Sequence, residues 1–334
     1  MRCGYQPDPI KVHLMPSNMC NHNCNFCLHK VNNSKNSEQY NYTDFISWKI
    51  MLSILQDLKD LDIKAIEISG GGSPLSYPYF KEMVSKINYY GFDYSLISNG
   101  TLLTNELAKQ IAPKMSWARI SIDAGNAKTY SKIRNIPESS FNRALDAVKL
   151  LKKYAENPEF RIGVGFLVTN DNYLEIYDLC KIAKNIGADN VRIGLAFLPN
   201  GLNNNVVGSA TAQINVSKKL EDDSFKIYDL LDERIVNTNT TKRPYSFCPI
   251  KEISCVIGAN CKIYTCCSLL YTKRGEIGNI IDKSFKEFWL SKSKQNIFKS
   301  FDVKKRCNIS CMYDQRNIYI NSIINKENIH RNFI

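Results

Sequence analysis

The sequence predicts an α/β fold, on two observations. Short apolar segments alternate with amphipathic helical ones over the first two thirds of the chain, and six strand-then-helix units can be counted there. Helices between strands make the sheet parallel. Right-handed crossovers then allow an open doubly wound sheet or a full or partial β/α barrel.

In chain order, residues 11–15 read as a strand. Phe45, Trp48, Leu52 and Leu55 follow helical spacing, with Thr43 as N-cap. Residues 65–69 form the next strand and run into Gly70, Gly71 and Gly72. Residues 79–89 read as a helix, 94–98 as a strand and 105–111 as a helix. The pattern continues with a strand at 118–122, a helix at 142–154, a strand at 161–168, a helix at 172–185 and a strand at 190–197. Residues 199–216, rich in Asn and Gly, read as a loop. A helix is expected next, with Leu220, Ser224, Ile227, Leu231 and Ile235 on one face. Residues 237–244 read as a linker, which places a boundary near 240. Short β segments at 254–257 and 262–265 and a helix at 285–289 follow, and the polar, basic tail from Asn317 is expected to be poorly ordered.

The chain has 334 residues, too many for a disulfide mini-scaffold and enough for one large domain or one plus a smaller one. Its 44% apolar content supports a buried core. No run of 18 apolar residues is present, so no spanning helix is expected. Residues 1–10 hold Pro and Asp without the apolar stretch of a signal peptide. Lys and Arg number 44 against 32 Asp and Glu, a net charge of +12. The lysines are spread along the whole chain, and no basic block alternates with aromatics. Solvated faces therefore explain the excess better than nucleic acid does.

Twelve cysteines without an export signal point to metal, redox or catalytic use rather than a disulfide framework. Cys20, Cys24 and Cys27 crowd into eight residues, and Cys248, Cys255, Cys261, Cys266, Cys267, Cys307 and Cys311 fall in the last quarter. Cys180 shares the apolar face of a helix with Tyr173, Ile176, Tyr177 and Ala183 and reads as a core thiol; Cys3 reads as inert. The first group has the spacing C-x3-C-x2-C. Three thiolates on a short loop can cap three corners of a cubane iron–sulfur cluster and leave one iron open to an exogenous ligand. Zinc is the alternative and needs a fourth ligand, which His22 or His29 could supply. The loop follows the first strand, at the carboxyl end of a parallel sheet, where sites are built. Phe26, just before the third cysteine, would shield a cluster from water.

With that aromatic before its last Cys, the motif resembles the radical S-adenosylmethionine superfamily, and further segments match in order across residues 10–200. Ile68-Ser-Gly-Gly-Gly-Ser-Pro-Leu75 resembles the family's Gly-Gly-Glu-Pro turn, which presents backbone groups to the methionyl amine of the cofactor. The resemblance assigns Gly70, Gly71, Gly72 and Ser73 there, with Ser73 standing where Glu is usual. Ile97-Ser-Asn-Gly-Thr-Leu-Leu103 is similar to the segment near the ribose, which assigns Ser98 and Asn99. Arg119-Ile-Ser-Ile-Asp123 is similar to the strand whose polar residues approach cofactor or substrate, which assigns Arg119, Ser121 and Asp123. Tyr130-Ser-Lys-Ile-Arg134 fits the helix that follows. Taken alone, Asp123 reads as a helix cap and Arg134 as a surface ion-pair partner. The resemblance implies a partial (β/α)6 TIM-like barrel over 8–240.

Residues 245–315 resemble the twitch or SPASM-type extension carried by many of these enzymes, a small β-hairpin and helix domain. The matching segments are Cys248-Pro249, a hairpin ending in Tyr264-Thr-Cys266-Cys267, Gly275-Glu-Ile-Gly-Asn-Ile280, Phe288-Trp289 and Cys307-Asn-Ile-Ser-Cys311. The resemblance implies an auxiliary 4Fe–4S cluster closed by Cys248, Cys266, Cys307 and Cys311. Cys267 could replace Cys266, and Cys255 could replace Cys248; one auxiliary cluster is favoured over two. Cys261 sits where a hairpin Gly is expected. Residues 316–334 form a polar tail.

The implied chemistry is that of the family. S-adenosylmethionine chelates the open iron of the first 4Fe–4S cluster, one electron cleaves its sulfonium, and the 5′-deoxyadenosyl radical takes a substrate hydrogen. A closed auxiliary cluster favours oxidation or bond formation; a hydrogen returned by Cys261 or Cys255 would give epimerisation instead. The expected reductant is a flavodoxin or ferredoxin, no nucleic-acid or membrane partner is expected, and oxygen-sensitive clusters imply a reducing cytoplasm. Only 19 residues precede Cys20, so no fused leader-binding domain is expected. Modification of a peptide or protein leads, by analogy with maturases carrying this extension. The alternative is a radical dehydrogenase or epimerase of a sugar or other small polar metabolite. A glycyl-radical-enzyme activase and a non-catalytic zinc or electron-transfer protein come after these.

Overall fold

The computed structural model describes residues 9–31, 38–196, 198, 201–231, 243–307, 311 and 313–325. Cys3, Ile235, residues 237–242 of the expected linker and the boundary near 240 lie outside them. Seven strands follow in chain order: β1 (Lys11–Leu14), β2 (Ala65–Ile68), β3 (Asp93–Ser98), β4 (Trp117–Ser121), β5 (Arg161–Val168), β6 (Asn190–Leu195) and β7 (Lys226–Asp229). Each pairs in parallel with the next. On the other side of β1 lies β8 (Ser254–Ile257), also parallel, and antiparallel β9 (Lys262–Tyr264) and β10 (Glu276–Asn279) continue the same sheet. Among the described residues β7 and β10 are its free edges, so the barrel is partial.

Strand alternation sorts the side chains. Val12, Leu14, Ile66, Ile68, Ala118 and Ile120 are buried in the main apolar core with residues of the helices that follow the short α1 (Leu28–Val31) of the cysteine loop: α2 (Trp48–Asp60), α3 (Phe80–Tyr90), α4 (Asn105–Ile111), α5 (Ala127–Arg134), α6 (Ser139–Tyr154) and α7 (Ile176–Asn185). Lys11, His13, Glu67, Arg119, Ser121 and Gly165 share the opposite face, the barrel interior. The β8–β10 extension is tied to the barrel from outside as well. The helix Phe285–Trp289, closed by a Ser284–Glu287 capping box, buries its aromatics. Lys286 bonds α2 twice, from its backbone N–H to Asp57 (3.1 Å) and from Nζ to Asp60 (3.1 Å).

Four expectations are corrected. Helix α2 is capped by Ser47, whose hydroxyl accepts from the Ile50 N–H, not by Thr43. Its buried stripe is Met51, Ile54, Leu55 and Leu58, while Phe45 pairs with Ser17 in an isolated bridge. The expected loop at 199–216 contains the helix α8 (Asn204–Ser217). Val206, Ala210 and Ile214 are buried at four-residue spacing, a stripe obscured by the asparagines around it. The expected helix from Leu220 is instead strand β7, in which Ile227 is buried between exposed Lys226 and Tyr228, the alternation of a strand that can pair with β6. The tail does not fray at Asn317. A helix spans Asp314–Asn325 and buries Asn317 and Asn321, and Asn321 donates to the Phe247 carbonyl at 2.9 Å. No described helix is long and apolar enough to cross a membrane.

Candidate functional site

The segment leaving β1 is held from two sides before it reaches Cys20. The Gly72 N–H donates to the Ser17 carbonyl (3.3 Å) and the Ser73 N–H to the Met19 carbonyl (2.9 Å). The glycine turn therefore lies directly on the backbone that carries the first cysteine. A Cβ on Gly72 would stand 2.1 Å from the Met19 oxygen, and one on Gly71 2.3 Å from Asn18 Oδ1. Gly72→Ala should therefore displace this segment, destabilise the fold by about 1–3 kcal/mol and lower the iron bound at Cys20. Thermal unfolding and an iron assay on the purified variant test this.

Between Cys20 and Cys24 the side chains of Asn21 and His22 are both engaged. Asn21 donates to Thr101 Oγ1 (2.8 Å) and accepts from Asn99 Nδ2 (3.0 Å), which also lies 3.9 Å from Cys20 Sγ. Thr101 donates to Asn99 Oδ1 (3.0 Å), which leaves its oxygen to accept from His22 Nε2 (2.9 Å). The other ring nitrogen, Nδ1, accepts from Arg134 Nη1 (3.3 Å). This network sets the neutral tautomer of His22 and occupies both nitrogens, so His22 does not serve as a fourth zinc ligand. His29 stacks on Tyr40 with ring centres 5.2 Å apart.

The loop docks on the end of α5. The amides of Asn23 and Asn25 donate to the carbonyls of Arg134 (3.1 Å) and Ile133 (3.0 Å), which a helix end otherwise leaves unpaired. Arg134 itself is 3% exposed and forms a buried ion pair with Asp123. Burial pushes the Cys24 thiol up to about 11, and the Arg134 cation beside it pulls the other way. Phe26 is buried, with its ring 5.9 Å from the Arg134 guanidinium.

The remaining residues expected at the cofactor fall into two groups. Three are engaged in the framework. Ser98 Oγ accepts from the Gly100 N–H (3.1 Å). Asn99 holds the cysteine loop. Asp123, in a left-handed conformation (φ 60°), accepts from the Leu167 N–H (2.7 Å) as well as from Arg134. Ser73 and Arg119 form the second group. Ser73 Oγ is buried with no protein partner, and Arg119 lies on the interior face beside Gly165, whose missing Cβ leaves room next to Arg119 Cδ. An orphaned hydroxyl, a cradle of three glycines and three thiols at one carboxyl edge suit an iron–sulfur cluster with a polar ligand.

A second cavity is lined by Cys248, Cys266, Cys307 and Cys311, with Tyr313 and Thr265 among its walls. Thr265 Oγ1 is buried there without a partner. Burial pushes the thiols of Cys307 and Cys311 up to about 11 and about 12 and lifts Cys266 well above its ordinary value, with neighbouring cysteines adding. Four thiolates in that place need the positive charge of a metal centre. Arg243 and Tyr245, which sequence reasoning passed over, brace the cavity through Asp314, and Arg243 Nε also donates to the Cys307 carbonyl (3.0 Å). Cys267 is not among the lining residues; its Sγ lies 3.7 Å from Tyr313 Oη. Cys255 is fully buried in the main core, in register with Val12, and Cys261 is buried in the same core. Cys261 occupies a left-handed turn position, φ 59°. Cys180 is fully buried too.

Tyr313 joins this cavity to the barrel interior, a link with no signal in the sequence because its partners are hundreds of residues away. Its hydroxyl lies 3.4 Å from His13 Nε2, and His13 Nδ1 lies 3.3 Å from Glu67, which Lys11 also binds at 2.7 Å. Burial lowers the His13 pKa to about 4 against the pull of Glu67. Burial works against the Glu67 carboxylate, but His13 and Lys11 still hold its pKa below the usual range. His13 is thus neutral when folded and takes up a proton more readily when unfolded, near its ordinary 6.5. Stability should be full above pH 6.5 and fall as pH drops toward 4, by about 3 kcal/mol for this group. Denaturant unfolding of His13→Gln should lose that part of the slope; an unchanged slope would assign it to other groups, such as His29, which burial lowers over the same window.

A partial parallel barrel with a three-cysteine loop on its carboxyl edge and a four-cysteine cavity beside its first strand defines a class of cluster-bearing barrel enzymes. Residues 14–195 match the family model of the radical SAM superfamily, and residues 248–312 that of an iron-sulfur cluster-binding domain, SPASM. The chain belongs to the radical SAM superfamily; it is an enzyme whose cofactors are S-adenosylmethionine with its 4Fe–4S cluster and auxiliary iron–sulfur. A protein of Pyrococcus furiosus, the tungsten-containing aldehyde ferredoxin oxidoreductase cofactor-modifying protein, is 24% identical over 84% of this chain and 80% of its own. Among solved structures, Streptococcus suis SuiB superposes with a TM-score of 0.65 at 14% identity, over 88% of this chain and 68% of that one. Native anSMEcpe with bound AdoMet gives 0.63 at 18%, over 91% and 87%. At these identities the two structures share the fold.

Proposed function

We infer that this radical SAM enzyme modifies a peptide or protein by oxidation or bond formation. Cys20, Cys24 and Cys27 hold the first cluster. The backbone at Gly70, Gly71 and Gly72 and the Ser73 hydroxyl receive the methionyl end of S-adenosylmethionine, with Arg119 and Ser121 facing the interior beyond it. A reduced cluster held there would supply the one-electron chemistry that cleaves the sulfonium. Phe26 and the Arg134–Asp123 pair close the loop from behind and keep water away from it. Cys248, Cys266, Cys307 and Cys311 hold the auxiliary cluster, which suits it to accept an electron from the substrate. The observation that carries this reading is the Tyr313–His13–Glu67 connection. It sets an anionic carboxylate, ion-paired with Lys11, on the interior face and links it to the wall of the four-cysteine cavity. Cys255 and Cys261, packed in the core, are poorly placed to return a hydrogen atom, which weighs against epimerisation.

A peptide is favoured because SuiB has been solved with its precursor peptide and anSMEcpe with the Cp18Cys peptide on this same fold. A small-molecule or cofactor substrate is the second reading, and the Pyrococcus furiosus relative supports it. The reductant is a flavodoxin or ferredoxin, and the setting a reducing cytoplasm. Uniformly deuterated peptides encoded by neighbouring genes, incubated with reduced enzyme, should transfer deuterium into 5′-deoxyadenosine. Label arriving only from a deuterated metabolite would overturn the peptide reading in favour of the second.

A further inference from the structure

Arg134 gives every one of its five N–H donors an acceptor. Nε donates to the Ile122 carbonyl (3.2 Å), Nη2 to the Ser121 carbonyl (2.8 Å) and to the Asp123 carboxylate, and Nη1 to His22 Nδ1 (3.3 Å), with Cys24 Sγ 4.0 Å away. The Tyr130 and Phe26 rings stand 5.0 and 5.9 Å from its guanidinium carbon. This cation is therefore fixed in position, dry, and aimed through one nitrogen at the thiol in the middle of the cysteine loop. Its location matters electrostatically. The loop sits on the carboxyl end of α5, the negative end of the helix dipole, which disfavours any further negative charge. Adding an electron to a cluster there adds one.

We propose that Arg134 is a positioning residue that sets the reduction potential of the cluster held by Cys24, its charge balanced by Asp123. The guanidinium favours the reduced, more negative cluster; the Asp123 carboxylate on its other nitrogen opposes that. His22, bound to the same Nη1, carries the constraint into the loop between Cys20 and Cys24. The proposal rests on Cys24 being a cluster ligand.

The test is an EPR-monitored redox titration of the reconstituted full-length enzyme, following the signal that changes when S-adenosylmethionine is added. Asp123→Asn removes the opposing anion and should raise the midpoint. Adding Arg134→Met to that variant removes the cation without leaving a buried anion unpaired, and should lower the midpoint relative to Asp123→Asn by about tenfold in the reduction equilibrium, ~59 mV. A purely structural role predicts lost iron and no such opposed pair of shifts. Equal midpoints for the two variants, or a fall in Asp123→Asn, would overturn the proposal. Asp123→Asn alone decides if the double variant does not fold. A Cys24→Ala enzyme that keeps the S-adenosylmethionine-responsive signal would instead remove the ligand assignment, a separate and recognisable failure.

Discussion

Replacing Cys24 with Ala should abolish reductive cleavage of S-adenosylmethionine. The expected loss of 5′-deoxyadenosine formation exceeds about 100-fold, since even a residue that only supports a metal ligand is worth 10–100-fold. The reason is specific to the loop. Cys24 lies between the other two thiols, and both Cys20 and Cys27 act on it electrostatically. Alanine at that position leaves the backbone bonds from Asn23 and Asn25 to α5 in place, so the loop should keep its path and lose only a ligand. Iron should fall from about eight to about four per chain, with the circular dichroism spectrum unchanged. Cleavage surviving in this variant would place the radical-generating site elsewhere.

Cys307→Ala should give the complementary result. It removes one wall of the second cavity, so iron should again fall by about four, while 5′-deoxyadenosine formation without substrate stays within about twofold of the parent. Turnover of the true substrate should be lost if, as proposed, the cluster in that cavity accepts the substrate's electron. Cys267→Ala makes the sharper control. Cys267 is not among the residues that line the cavity, and its sulfur lies 3.7 Å from Tyr313 Oη, so the variant should retain all the iron. If Cys267→Ala loses four irons and Cys266→Ala does not, the ligand set is the other one. Iron content, the electronic spectrum and product formation, measured on the three variants side by side, separate these cases.

The parallel strands of the barrel were legible because each carries a short β-branched or apolar run bounded by a turn, and because crossover helices such as α4 and α6 show a clear apolar stripe. The region after β6 was not. In α8 the buried Val206, Ala210 and Ile214 are diluted by asparagines, and in β7 the apolar residues fit a helical spacing on paper. Pairing with β6, which no local pattern encodes, selects the strand. Phe45 fits the helical spacing in sequence but bridges to Ser17 across the loop, so the helix starts after it, at the Ser47 cap.

The same division runs through the site. The three-cysteine spacing, the glycine turn and the cysteines of the last quarter are local features, and local features survive in one dimension. The sequence by itself therefore determined the superfamily and the kinds of cofactor. It left open which of the paired cysteines faces the cavity, since Cys266 and Cys267 are adjacent and only the turn of the backbone separates their directions. It could not reveal Arg134 as more than a surface charge, because His22 and Cys24 lie 112 and 110 residues away. Nor could it bring Tyr313 to His13 across 300 residues. The Tyr313 contact exists because β8 adds to β1 and carries the extension with it, and the Arg134 contacts because the cysteine loop docks on the end of α5. Tertiary packing decided them: a buried donor or cation is affordable only where folding brings its partners, and its partners here come from distant parts of the chain.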